Sequence, residues 1–421
     1  MMALEGSENR SRVPGRHSLL RDLFSSSGIL IAVAVILALV IGALLVTVFD
    51  PTFRYTMSYF FARPGDAFTA AWMAASGYFT SLVRGALFDY EAVTFIRAIR
   101  PLTETLTNSI PLIITGLAVG LGFRGGLFNI GAPGQFIVGA IAAGYVGFAV
   151  DLPVVIHLLV AILAAIVAGA IWGGIVGVMK AKANANEVIV TIMLNTIALY
   201  LVGYLLTLPA FRRGGSANPI SPPMPDTALY PQLLPPPFRL HLGFLVALLA
   251  AVGVWWLMER STLGFEFRAV GANPHAARTA GIDVERGYIQ VMVIAGALAG
   301  LAGSSQVLGT EKVLTGGVAA SFGFDAITVA LLGRSRAWGV FAAGILFGAF
   351  KAGGFTMQAS QGIPIDIVLV VQSMIVLFIA APPLVRAIFR LPKPNPLALA
   401  RAAQLSGKKA VAERIVYGAL D

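Results

Sequence analysis

The chain contains no cysteine, which excludes disulfides, thiol nucleophiles and iron–sulfur ligation. Charge is scarce as well. Asp, Glu, Lys and Arg make up 12% of 421 residues, where soluble domains carry about 25%. A water-facing surface cannot be covered by so few charges. With 57% hydrophobic residues and a mean hydropathy of +0.82, the composition indicates a polytopic membrane protein, read as all-α from the apolar runs along it. Acidic residues are rarest where the chain is most apolar, and only Glu187 and Asp325 come close to an apolar run. Carriers driven by proton or sodium gradients usually need an embedded carboxylate, so energy is expected from a partner. The histidines His17, His157, His241 and His275 are scattered without acidic neighbours at ligand spacing, and no metal site is expected. The chain lacks G-x-x-x-x-G-K-[ST], G-x-S-x-G and H-E-x-x-H, so it holds no ATP by that loop and carries none of those catalytic centres. Its net charge of +10 does not indicate nucleic acid, because the basic residues fall in short loops and tails.

What is present is a series of long apolar runs. Ten candidate spans are expected, at about residues 28–49, 103–122, 133–150, 153–178, 187–207, 242–258, 288–308, 320–333, 338–353 and 364–381, each judged against the roughly 20 residues that cross a hydrocarbon core. The runs near 133 and 320 are short and interrupted by glycine, as broken or re-entrant helices are. The first run follows Arg10, Arg12, Arg16 and Arg21 and ends at Asp50-Pro51 rather than at a small-residue cleavage site. It reads as an uncleaved first helix. Segment 28–391 is expected to form the membrane domain, between a tail at 1–27 and a basic tail at 392–421. With both termini on the cytoplasmic side, twenty of the thirty Lys and Arg lie in cytoplasmic segments, as orientation by positive charge requires. Two large segments then face the other side. Residues 50–102 carry aromatics among charges and read as amphipathic helices on the outer face. Residues 208–240 hold nine prolines and read as an ordered or extended loop without a lasting helix. Small residues at four-residue spacing (Gly116/Gly120, Gly169/Gly173/Gly177, Gly296/Gly300, Gly344/Gly348) predict close helix packing.

Within the apolar runs, Gly126–Phe136 (GLFNIGAPGQF) is out of place. It holds three glycines, a proline, Asn129 and Gln135. Irregular backbone at membrane depth persists only where protein buries it or where it lines a cavity. Asn129, Gln135, Thr191, Asn195, Gln306 and Gln372 are amide or hydroxyl groups in apolar surroundings, with Phe128, Phe136 and Phe324 beside them. Polar groups at membrane depth are functional candidates by default, and amides both donate and accept. Each could equally serve as an interhelical hydrogen bond. Glu187, Thr191 and Asn195 fall at i, i+4 and i+8 and share one helix face. Asp325 is the nearest candidate for ion coupling, should the chain be a carrier working alone.

The loop 259–287 carries a second local signal. Asn273 suits an N-cap, Pro274 the first helical position, His275 to Ala280 one or two turns, and Gly281 the residue after the C-cap. Gly271 precedes the cap as a hinge. So short a helix is marginal alone in water and is expected to be braced by a partner.

Four blocks, GLAVGLGFRGGLFNIGAPGQFIVGA (Gly116–Ala140), NEVIVTIMLN (Asn186–Asn195), RAVGANPHAARTAGID (Arg268–Asp283) and GFDAITVALLGR (Gly323–Arg334), resemble in order the permease subunits of bacterial ABC importers for simple sugars and nucleosides. The resemblance implies a multi-pass inner-membrane subunit that binds no cofactor itself. ATP and Mg would belong to partner ATPase subunits. It implies a second permease subunit, identical or related, and an extracytoplasmic substrate-binding protein, often a lipoprotein. The segment Asn273, Pro274, His275, Ala276, Ala277, Arg278, Thr279, Ala280 and Gly281 resembles the coupling helix seated on the ATPase. Ribose-type members carry G-x-D-L-S-V-G, and branched-chain amino-acid members roughly L-N-L-A-H-G, where this chain has LFNIGAPGQ. The nucleoside-type members are similar to this chain, so the resemblance favours a nucleoside over a simple sugar.

Overall fold

The computed structural model describes residues 27–364 and 366–380. The expected tails, with the basic cluster after Val385, lie outside the described residues. Residues Ile41–Ser373 form one compact unit. The remaining described residues, 27–40 and 374–380, belong to a second unit. The described residues are helical, without strands beyond two isolated bridges, Ile220 to Thr315 and Gln232 to His241.

Fourteen helices run in order: α1 (Ser27–Phe49), α2 (Pro51–Met57), α3 (Pro64–Ala86), α4 (Phe95–Arg124), α5 (Ala132–Ala149), α6 (Val154–Ala183), α7 (Glu187–Leu205), α8 (Gly243–Arg260), α9 (Thr262–Ala272), α10 (Pro274–Thr279), α11 (Val284–Ser305), α12 (Phe322–Leu332), α13 (Ala337–Gln361) and α14 (Asp366–Ala380). A π turn, Gln306–Thr310, extends α11. Among the described residues, seven helices are long and apolar enough to cross a membrane, or eight if the pair bent by 64° after Phe49 is one span. The remaining two of the ten expected runs are the short apolar helices α12 and α14.

Burial separates these spans into centre and periphery. In the most apolar window of α4, 83% is buried, against 17% in α7 and 28% in α6 and α8. A helix apolar all round and enclosed on all sides belongs at the middle of a bundle, and every residue from Ser109 to Gly122 is buried. Close approach is built from glycine. A methyl group at Gly169 would collide with the backbone carbonyl of Gly296, and one at Gly300 with that of Ala165, so α6 and α11 meet backbone to backbone. The small-residue spacing predicted this.

Two expectations are corrected. The apolar run from 103 is only the later part of α4, which begins at Phe95 under the Thr94 cap and carries Arg97 and Arg100 through its first turns. Hydropathy stops at those charges, but the helix does not. Segment 50–102 is helical as expected, but its helices do more than lie along a face. α3 packs along α13, where Gly85 leaves room only for Thr356 and Gly353, and its Tyr78 is fully buried. Segment 208–240 is an ordered, non-helical loop as expected. Ser221 is buried within it, its hydroxyl accepting from the Leu314 amide at 2.8 Å.

Candidate functional site

α4 ends at Gly125, and Gly126 has φ +77°, a left-handed turn that favours glycine. Residues 127–131 are irregular, and α5 begins at Ala132 with Pro133 in its first turn. The break is held by the polar groups that made it conspicuous. Asn129 Nδ2 donates to Gln135 Oε1 at 3.2 Å, and Gln135 Nε2 donates back to Asn129 Oδ1 at 3.3 Å. The Gly131 amide donates to the same Oδ1 at 3.0 Å. Both side chains are fully buried.

α7 lays one face across this break. Asn195 Nδ2 donates to the Ile130 carbonyl at 2.9 Å, and its Oδ1 accepts from the Gly134 amide at 2.9 Å. The methyl of Thr191 packs at Gly131, while its hydroxyl donates to the Glu187 carbonyl at 2.7 Å. Glu187 pairs with Lys180 at 2.9 Å. The i, i+4, i+8 face therefore exists; Thr191 packs on the break, and Asn195 alone replaces backbone partners that a helix would have supplied there.

The predicted site residues divide. Asn129, Gln135, Thr191, Asn195 and Phe136 gather at the break. Phe128 stays half-exposed and stacks on Phe123 at 4.8 Å between ring centres. Gln306 lies elsewhere, in the π turn, donating to Glu311 at 3.1 Å. Gln372 is buried on α14, with both amide atoms unpartnered among the described residues. α12 bridges to the break, since Gly323 sits against Pro133 with no room for a methyl, and Phe322 stacks on Phe136 at 6.4 Å. Phe324 points outward and is exposed.

Asp325 is not a free carboxylate. Lys351 of α13 donates to its Oδ2 at 3.0 Å and to Ser321 Oγ at 2.7 Å, and the Ser321 hydroxyl donates to the same Oδ2 at 2.6 Å. The Lys351 ammonium also lies 3.9 Å from the centre of the Phe322 ring, a cation–π contact. Lys351 was missed in the sequence, although a lone lysine inside an apolar run is itself a signal. Trp172 was missed too. Its indole nitrogen lies buried near Gly134 without a hydrogen-bond partner among the described residues, and nothing in the sequence distinguished it from a packing residue.

At the far end of α4, Arg124 pairs with Glu259 at 2.7 Å, and Lys182 pairs with Glu285 at 2.8 Å. The loop 259–287 sits here. It holds α9, capped by Ser261 and not anticipated, and then the anticipated α10. Asn273 Oδ1 accepts from the His275 and Ala276 amides at 3.0 and 3.1 Å. Gly281 has φ +84°. Its amide reaches the Arg278 carbonyl, and that of Ile282 reaches Ala277, each at 3.0 Å, closing the helix by paired terminal bonds. Ala277 is buried against Val270 and Val284 of the same chain. His275, Ala276, Arg278, Thr279 and Ala280 face outward. Gly271 lies inside α9, in backbone contact with the break: a methyl on it would strike the Arg124 carbonyl, and one on Gly126 would come 2.8 Å from the Gly271 Cα.

Residues 102–380 match the family described as the permease component of the branched-chain amino acid transport system. The chain is 42% identical over 279 residues to the guanosine ABC transporter permease NupP of Bacillus subtilis, covering 66% of this chain and 80% of that one. It is 39% identical over 288 residues to the glucose ABC transporter permease TsgB13 of Haloferax volcanii, covering 66% and 75%. It is 33% identical over 350 residues to the nucleoside ABC transporter permease NupB of Lactococcus lactis, covering 80% and 93%. No solved structure matches. The matched region contains the break, the face of α7 laid over it, the buried ion pair and the capped helix α10, and on that extent of match the chain is a multi-pass membrane protein belonging to the ABC transporter permease family.

Proposed function

We propose that this chain is the membrane-spanning permease subunit of an ATP-driven nucleoside importer, working by alternating access without chemistry of its own. It sits in the bacterial inner membrane with both termini cytoplasmic. ATP and Mg are bound by separate ATPase subunits, a second permease completes the pore, and an extracytoplasmic binding protein delivers the solute. The observation that carries the mechanism is the contact of Gly271 with Arg124–Gly126. It connects the exposed, doubly capped α10 to the start of the broken segment with no flexible side chain between. An ATPase pushing on α10 would move α9, and α9 cannot shift without moving the break. The ion pairs Arg124 with Glu259 and Lys182 with Glu285 join basic residues of the cytoplasmic count to the two ends of the loop that carries α10, which supports this orientation.

Nucleosides are supported by the guanosine and nucleoside transporters among the relatives, and by a broken segment stocked with amides rather than charges. A simple sugar is the second reading, and the glucose permease of Haloferax is the observation that favours it. Uptake of radiolabelled guanosine, adenosine, uridine, ribose and glucose is to be measured in cells expressing the complete transporter. Nucleoside uptake, unaffected by excess ribose or glucose, is expected. Saturable glucose or ribose uptake without nucleoside uptake would replace the cargo and leave the permease assignment in place.

A further inference from the structure

The end of α4 remote from Arg124 borders a half-open cleft of about 690 Å³, within the range of roughly 300–1,000 Å³ common for small-molecule sites. Arg97, Arg100, Glu104 and Asn108 line it from one face of α4, being spaced i, i+3, i+7 and i+11. Phe355 of α13 and Arg239 of the proline-rich loop complete the wall. Its depth is graded. Glu104 is one-fifth exposed, whereas Arg100 and Arg239 are about half exposed, so the carboxylate lies deeper than the guanidinium groups. Their separations from Glu104, 3.7 and 3.6 Å, are too long for hydrogen bonds. Glu104 Oε1 is buried and, although within ion-pair range of Arg100, has no hydrogen-bond partner among the described residues.

A buried carboxylate oxygen without a donor is costly, and a ligand that brings donors removes the cost. The cavity selects among ligands. The carboxylates of Glu104 and Asp89 on its lining repel an anion, and its three arginines repel a cation. What remains is a neutral solute rich in hydroxyl groups. The Phe355 ring, half-exposed, and the guanidinium planes add flat faces on which a base can stack. We infer that this cavity is an entry subsite for a nucleoside, with Glu104 accepting hydrogen bonds from the ribose 2′- and 3′-hydroxyls and Phe355 packing against the base. The inference rests on the nucleoside reading above.

Its test is binding to the purified permease–ATPase complex in nanodiscs without the binding protein. The probes are radiolabelled guanosine, adenosine and uridine, each beside its 2′,3′-dideoxy form. Wild type is expected to hold the ribosides about tenfold or more tighter than the dideoxy forms, the scale of hydrogen bonds to a charged group. Glu104→Gln should shrink that ratio severalfold, and Phe355→Leu should weaken both forms while leaving the ratio. Reading a ratio keeps the result independent of how much of each variant assembles. A wild type with no preference for the diol, or a Glu104→Gln variant with the wild-type ratio, overturns the subsite. If the complex binds no nucleoside while the complete transporter still imports one, the subsite falls and the cargo reading stands. If the complete transporter imports none, the cargo reading falls, and the subsite with it.

Discussion

Lys351 and Asp325 meet in the middle of an apolar bundle, and each is about nine-tenths buried. Such a pair gains little over apolar residues of the same size, but breaking it strands a charge at a cost of about 3–5 kcal/mol. Lys351→Met alone and Asp325→Leu alone should therefore sharply lower the yield of folded, detergent-stable protein. The double variant should recover most of it. Fluorescence size-exclusion yields report this directly, and a double variant no better than the singles would give the pair a role other than mutual neutralisation. His241 supplies a second residue-scale expectation. Burial, with Arg239 and Lys312 nearby, depresses its imidazole to about 4 from an ordinary 6.5. It is held neutral between Thr310 at 3.3 Å and the Gly243 amide at 3.1 Å. Because the folded value is the lower one, its stabilisation is complete above about 6.5, and it is lost as pH falls toward 4 and the unfolded chain takes the proton first. The wild-type Tm should fall across that window more steeply than that of His241→Asn. Equal slopes would show that His241 is not the titrating group. Neither residue could be placed in this way from the sequence, since Lys351 and Asp325 are 26 positions apart and their meeting depends on how α12 and α13 pack.

Among the elements, α10 was the most legible, because caps are local chemistry. Asn273, Pro274 and Gly281 write a start and a stop within nine residues, and the structure follows them. Which face is free was not legible, since that depends on Val270 and Val284 arriving from α9 and α11. The two faces give opposite expectations. Ala277→Glu would bury an unpaired carboxylate in this chain's own cluster and should destabilise the loop by several kcal/mol, about 3–5. Ala276→Glu lies on the exposed side, so folding should be unaffected while the ATPase dissociates more readily during purification. Co-purification with the ATPase measures both. An Ala276→Glu complex as firm as wild type would place the partner elsewhere. The broken segment was legible as an interruption, from glycine and proline in an apolar run. That its amides are consumed in holding the break was not, because Asn195 reaches Ile130 and Gly134 across more than sixty residues. The start of α4 was misread because hydropathy marks where charge ends, while the Thr94 cap marks where the helix begins.

For the whole molecule, the membrane class was legible from composition, its helices from the length of the apolar runs, and the packing of α6 on α11 from glycine spacing. The orientation is a proposal that labelling can test, and a chain with no cysteine gives no background. Ala217→Cys, exposed in the proline-rich loop, should react with an impermeant thiol reagent added to intact cells, and Ala272→Cys, exposed beside α10, should not. The reverse pattern would invert the topology. The account depends above all on motion passing from α10 to the broken segment through one backbone contact. Gly271→Ala tests it most directly, since the added methyl would meet the Arg124 carbonyl and push α9 off the end of α4. The outward face of α10 would be unchanged, so the ATPase should still bind. In proteoliposomes, the ratio of solute imported to ATP hydrolysed, with loaded binding protein present, is the quantity to measure. The predicted result is an intact complex that still hydrolyses ATP but whose import per ATP falls about tenfold or more, the loss that a small misplacement can cause. A Gly271→Ala transporter with the wild-type ratio would contradict the account.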